Sequence, residues 1–245
     1  MHKEAGRKRP VVRTSVDESV VLVMDTTYFL EFGVMVFRCS NRRQNIFWKF
    51  VGSETNEEYL SGLAYVQSLG FNVVAVVCDG KRWLGEQRSR LGLPVQLCQF
   101  HLVKAVTKYT TKRPKTEAGR ELRWLVLSLK DATEEEFIMR LNKWDEKWHT
   151  FLNEKTITPK TGRWQYIHRN LRAGRRTIHN WLPRLFTCKK YPQFNIPNTT
   201  NSLDGTFSHL KQKVNTHRGI NTITKRKMVS LILAQKSKPK RSKTN

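Results

Sequence analysis

The sequence predicts a mixed α/β fold: a three-strand meander joined to two parallel strands, with an all-helical insertion ahead of the last helices. Three observations predict it. Continuous β-branched apolar runs occur at 19–25 ("SVVLVMD") and 72–79 ("NVVAVVCD"), as in strands covered on both faces. A helix-period stretch between them implies a right-handed crossover joining parallel neighbours. Beyond residue 101 the pattern turns helical and rich in tryptophan.

The elements follow in order. After the first strand, "FGVMVFRCS" (32–40) and "NIFWKFVG" (45–52) come after short breaks and complete a meander. In 55–70, Tyr59, Leu60, Leu63, Val66 and Leu69 form one apolar face, and Gly70 is a stop signal. The second buried strand at 72–79 leads through a basic helical stretch to a third, "LPVQLCQF" (93–100). These segments make up a first folded part, 18–104, followed by a helical insertion over 105–195 and C-terminal helices over 196–235. Trp124, Trp144, Trp148, Trp164 and Trp181 sit among Leu, Ile and Phe at helical spacing and read as core of the insertion. A basic stub (1–17) and a basic tail (236–245, "KSKPKRSKTN") are poor in apolar residues and read as solvated.

Charge narrows the partner. Against 20 acids the 245-residue chain carries 45 Lys and Arg, a net charge of +25, far more than solubility requires. A polyanion is implied, with nucleic acid first because each cation meeting a phosphate releases counterions. A ribosomal or anionic-membrane location would carry the same charge. Four widely spaced cysteines (Cys39, Cys78, Cys98 and Cys188) suggest reduced thiols, and no apolar run reaches the length of a membrane span. The expected location is cytoplasmic and nucleoid-associated.

Three acids carry the chemistry. Asp25 and Asp79 each end an apolar run, so parallel neighbours would deliver both carboxylates to one sheet edge. Carboxylates that close raise each other's pKa unless a cation neutralises them, and hard oxygen ligands suit Mg²⁺ or Mn²⁺. Asp also ends strands simply by capping a turn. In "NTTNSLDGTFSHLKQKVNTHRG" (198–219), Leu203, Phe207, Leu210 and Val214 make a buried stripe. Asp204, Ser208, Lys211 and Asn215 run beside it, so the acid heads a polar and basic face. With Asn201 as N-cap, Asp204 would also favour the helix dipole. Three carboxylates around two hard cations suit in-line displacement at a phosphodiester, with no side-chain nucleophile.

"VMDTTYF", "VVCDGKRWL", "PVQLCQFHLVK" and "IPNTTNSLDGTFSHLKQKVNTHRGI" together resemble the catalytic core of the Mutator-like DDE transposases of bacterial insertion sequences, over about 18–236. The resemblance implies a ribonuclease-H-like fold and a metal-binding catalytic triad of Asp25, Asp79 and Asp204 holding two Mg²⁺ or Mn²⁺ ions. It implies cleavage and strand transfer of DNA, with a homodimer on the element ends and target. Arg172, Arg175 and Arg176, in "YIHRNLRAGRRTIHNWLPRLF", together with Lys211 and Arg218, are the expected DNA contacts. Cys98 and His101, a C-x-x-H pair 19 residues after Asp79, are expected to support the site. A closed structural zinc site needs four ligands, and no second pair of matching spacing accompanies them.

The chain departs from that family twice. The third acid is usually Glu, one methylene longer than Asp204, and Glu31 is a poor substitute because it begins a strand. The usual N-terminal DNA-binding region is replaced by the basic stub, which leaves a catalytically inactive or truncated DNA-binding remnant as the alternative reading.

Overall fold

The computed structural model describes residues 19–80, 92–217 and 219–237. The basic stub, the stretch expected to be helical before the third buried strand, Arg218 and most of the basic tail lie outside the described residues.

Five strands form one mixed sheet: β1 (Ser19–Tyr28), β2 (Gly33–Cys39), β3 (Gln44–Val51), β4 (Asn72–Cys78) and β5 (Val95–Leu97), in the order β3-β2-β1-β4-β5. β1–β2 and β2–β3 are antiparallel, while β1–β4 and β4–β5 are parallel, as the apolar runs and the crossover predict. The crossover helix, α1 (Asn56–Ser68), starts at Thr55, whose side chain accepts from Glu58 N–H, and stops where Gly70 takes φ +88°. Tyr59, Gly62, Leu63 and Val66 face the sheet. Gly62 is needed there, because a Cβ would come within 2.0 Å of the Phe37 ring.

Alternation along β1 divides the interior in two. Val20, Leu22 and Met24 join Phe37, Leu63 and Val66 on one face, and Val21 and Val23 join Val34, Val36 and Val77 on the other. The first face continues without a break into α2 (Gln99–Thr110), α3 (Glu117–Leu127), α4 (Glu134–Leu152) and α5 (Arg169–Trp181) through Leu102, Val106, Leu122, Phe137, Leu141 and Ile178. After the single-turn α6 (Thr187–Lys190), the chain covers the second face with α7 (Asn201–Thr216) and α8 (Thr222–Gln235), through Leu203, Phe207, Leu210, Val214, Val229 and Leu233.

Several expectations are corrected. The insertion is not all-helical. Lys155–Ile157 (β6) pairs antiparallel with Trp164–Tyr166 (β7), because Pro159 stops helical hydrogen bonding and Gly162, at φ +62°, closes the turn between β-branched residues. The third buried strand is short: Cys98 already caps α2, so Gln99 and Phe100 are helical. The expected boundary at 104/105 consequently falls inside α2. Trp144 and Trp181 are buried, whereas Trp124 and Trp164 are 62% and 68% exposed and are not core. Lys236 and Ser237, expected in a solvated tail, finish α8 instead: the Lys236 carbonyl accepts from Asn45 N–H and Ser237 is buried.

Candidate active site

Register and parity bring the acids together. Met24 pairs with Cys78 in the parallel β1–β4 ladder, so Asp25 and Asp79 follow at adjacent positions. Asp25 does not end its strand. β1 runs on to Tyr28 against β2, and Asp25 marks the point where β1 outruns β4. Asp25 keeps the parity of Val21 and Val23, and Asp79 that of Val77, the face on which α7 lies. There the Leu203 and Phe207 anchors put Asp204 in the first turn of α7.

His101, in the first turn of α2, stands among these acids. Asp25, His101 and Asp204 each offer a ligand atom within 4.8 Å of the others'. Asp79 is outside that group and instead approaches His101, with Oδ2 4.0 Å from Nε2. The imidazole, expected in support of the site, thus stands within reach of all three acids. Burial is the main cause that raises the Asp25 carboxyl from 3.8 to about 7; the His101 charge and the Thr26 N–H oppose it, and Asp79 and Asp204 reinforce it. Burial alone would lower His101, but its hydrogen bond with Cys98 and the charges of Asp79, Cys98 and Asp25 raise it to about 9.

The donor set fits a hard divalent cation. Asp79 Oδ1 and Asp204 Oδ2 are buried without a hydrogen-bond partner, a costly condition for carboxylate oxygens that metal coordination relieves. The Asp–His–Asp cluster can bind a metal ion.

Behind His101 lies a network invisible to spacing arguments. Thr200, not Asn201, precedes α7, and it makes no side-chain cap. Its N–H and hydroxyl donate to Cys98 Sγ at 3.3 and 3.5 Å, and the hydroxyl lies 3.4 Å from His101 Nδ1. Burial would raise the Cys98 thiol, but His101 and Thr200 hold it below its ordinary value. Gln99 N–H donates to the Asn198 carbonyl, and Asn198 Nδ2 returns a bond to Gln99 Oε1. Gln96 and Gln99 both donate to the Leu185 carbonyl, while Cys188 N–H donates to Gln96. "CQFH" and "NTT" are thus the two halves of one latch that fixes α7 to the end of β5. Glu31 is committed elsewhere, to Thr222 and Lys225 of α8.

The expected DNA contacts divide. Arg172 donates to the Leu152 carbonyl and Asn153 Oδ1 and lies 3.6 Å over the Tyr166 ring. Arg175 makes a bidentate pair with Asp145, which also meets His179. Both hold the fold together. Arg176 and Lys211 are exposed, and Arg218 lies outside the described residues.

No family model matches the chain, and no curated protein matches it. Among solved structures, the Drosophila P element transposase strand transfer complex superposes with a TM-score of 0.29 and 12% identity, covering 96% of this chain and 80% of that one. A likeness that loose carries no argument. No helix among the described residues is long and apolar enough to cross a membrane.

Proposed function

We propose that the chain is a DDE-type transposase core with a ribonuclease-H-like sheet, which cleaves DNA and transfers its strands to move an insertion sequence, working as a homodimer on DNA. The observation that supports this most is the gathering of three carboxylates from β1, β4 and α7 around His101, two of them with buried oxygens that no protein group satisfies. They gather where β1 outruns the carboxyl end of β4, and the carboxyl edge of parallel strands is where open α/β sheets bind ligands.

In this reading Asp25, Asp79 and Asp204 hold two Mg²⁺ or Mn²⁺ ions, with His101 beside them. The bound ions supply activation of a water or 3′-hydroxyl and stabilisation of the leaving oxygen. The chain's own contributions are positional. The Thr200–Cys98 latch fixes Asp204 against β5. The same latch meets His101 through the Thr200 hydroxyl and orients its ring toward the acids. Lys211, further along the polar face of α7, meets the DNA backbone. Cleavage needs no covalent intermediate with the protein.

The test is nicking of supercoiled plasmid in Mn²⁺ by wild type, Asp79→Asn and Asp204→Asn at matched DNA binding. Wild type is expected to nick, and each variant to lose at least ~100-fold while still binding DNA. Binding without nicking by all three would leave a catalytically silent DNA-binding remnant.

A further inference from the structure

The β6–β7 hairpin carries an exposed aromatic surface that the acid site does not use. Register puts Lys155 opposite Tyr166 and Ile157 opposite Trp164, so these four side chains share one face. At its base the hairpin is clamped. Ile167 N–H donates to the Glu154 carbonyl, His168 stacks on Phe151 at 3.6 Å and meets Glu154 at 2.9 Å, and Arg172 lies over Tyr166. Lys155 approaches the same Tyr166 ring at 5.4 Å.

Further out the aromatic face is uncovered. Trp164 is 68% exposed and Ile157 50% exposed, and among the described residues no ring or cation packs on the Trp164 indole. Trp124, the other exposed tryptophan among the described residues, differs in having Arg140 over its ring at 5.5 Å. Lys155, Lys160, Arg163 and Arg169 flank Trp164 in the chain, and the nearest acid in sequence, Glu154, is occupied by His168. A rigid stalk holding an uncovered indole among cations has the chemistry of a base-stacking platform: the cations meet phosphates and the ring meets a base. A fully stacked duplex hides its base faces, so the matching ligand has an unpaired base.

We propose that this hairpin binds DNA at an unpaired nucleotide, with Trp164, backed by Ile157, stacking on the exposed base. This rests on the reading of the chain as a DNA-acting protein but not on its catalytic activity. Arg172 is then a positioning residue that holds the platform through Tyr166 without touching DNA.

Binding is measured without divalent ions, where cleavage cannot interfere. Two fluorescent duplexes are compared, alike except that one carries two unpaired 2-aminopurine-containing nucleotides. Wild type is expected to prefer the unpaired substrate about tenfold, with quenching of the 2-aminopurine on binding. Trp164→Ala should lose the preference and the quenching while keeping its affinity for the paired duplex, and Trp164→Phe should retain most of both. Lys160→Glu with Arg163→Glu should weaken both substrates and leave quenching of the bound fraction. The proposal is overturned if Trp164→Ala keeps the preference, if it weakens both substrates equally, or if it changes only the oligomeric state by light scattering, which would make the face an interface between copies. Preference without plasmid nicking would sink the transposase reading and leave the hairpin assignment standing; nicking without preference would do the reverse.

Discussion

At the residue scale the telling quantity is the proton on Asp25. Its carboxyl is raised from 3.8 to about 7, so between those values the folded chain holds a proton that the unfolded chain releases. The contribution to stability is fully present below about pH 4 and is lost as pH rises through about 7. His101, raised from 6.5 to about 9, acts in the same direction at higher pH. In EDTA the wild type should therefore lose stability between pH 5 and pH 8, and Asp25→Asn should lose less, the difference being on the order of a few kcal/mol. Urea unfolding at the two pH values measures it; parallel losses would show that burial does not penalise this carboxylate. The meeting of Asp25 and Asp79 at one sheet edge was legible because each closes an apolar run, although β1 itself runs on past Asp25. His101 was expected beside the site, but its contact with Thr200, about a hundred residues on, was not, because no local pattern encodes it.

At the scale of elements, the close approach of α5 to the acid edge makes a prediction of its own. A Cβ on Gly80, immediately after Asp79, would come within 2.5 Å of the Trp181 ring. Gly80→Ala should displace either Trp181 or the turn bearing Asp79, costing ~1–3 kcal/mol in denaturant unfolding and a larger share of nicking than that loss of folded protein explains. Activity falling only in proportion to stability would separate the insertion from the site. The strands were legible because their apolar runs are continuous, and α1 and the stripe of α7 because their periods are clean and the stop at Gly70 is a backbone requirement. The β6–β7 hairpin was missed because three-residue strands are too short to show a period, and Pro159 and Gly162 were the available signal. The exposed tryptophans were missed for a related reason: helical spacing places a side chain on a face but does not say what, if anything, covers it.

For the whole molecule the net charge of +25 should govern affinity for paired DNA. Neutralising about 6–10 phosphates predicts a fall of ~10³–10⁵ in affinity between 50 and 200 mM salt, while the ratio between unpaired and paired substrates stays nearly constant, because stacking releases no counterions. A salt titration with both substrates checks this, and a ratio that collapses with salt would place the discrimination in the cations. Composition points to a polyanion but does not locate a track for it, since Arg172 and Arg175, the expected contacts, are spent on Tyr166 and Asp145.

The two-faced sheet also sets a timetable. All five strands and the helices on the first face precede α7 and α8 in the chain, so on the ribosome Val21, Val23, Val34 and Val77 wait uncovered until those two helices emerge. At ~5–20 residues per second, the stretch from Asp79 to Asp204 takes on the order of ten seconds to synthesise. Throughout that interval the nascent chain has two acids and no third. On the proposed reading, the helix that closes the hydrophobic interior is the same one that completes the acid set.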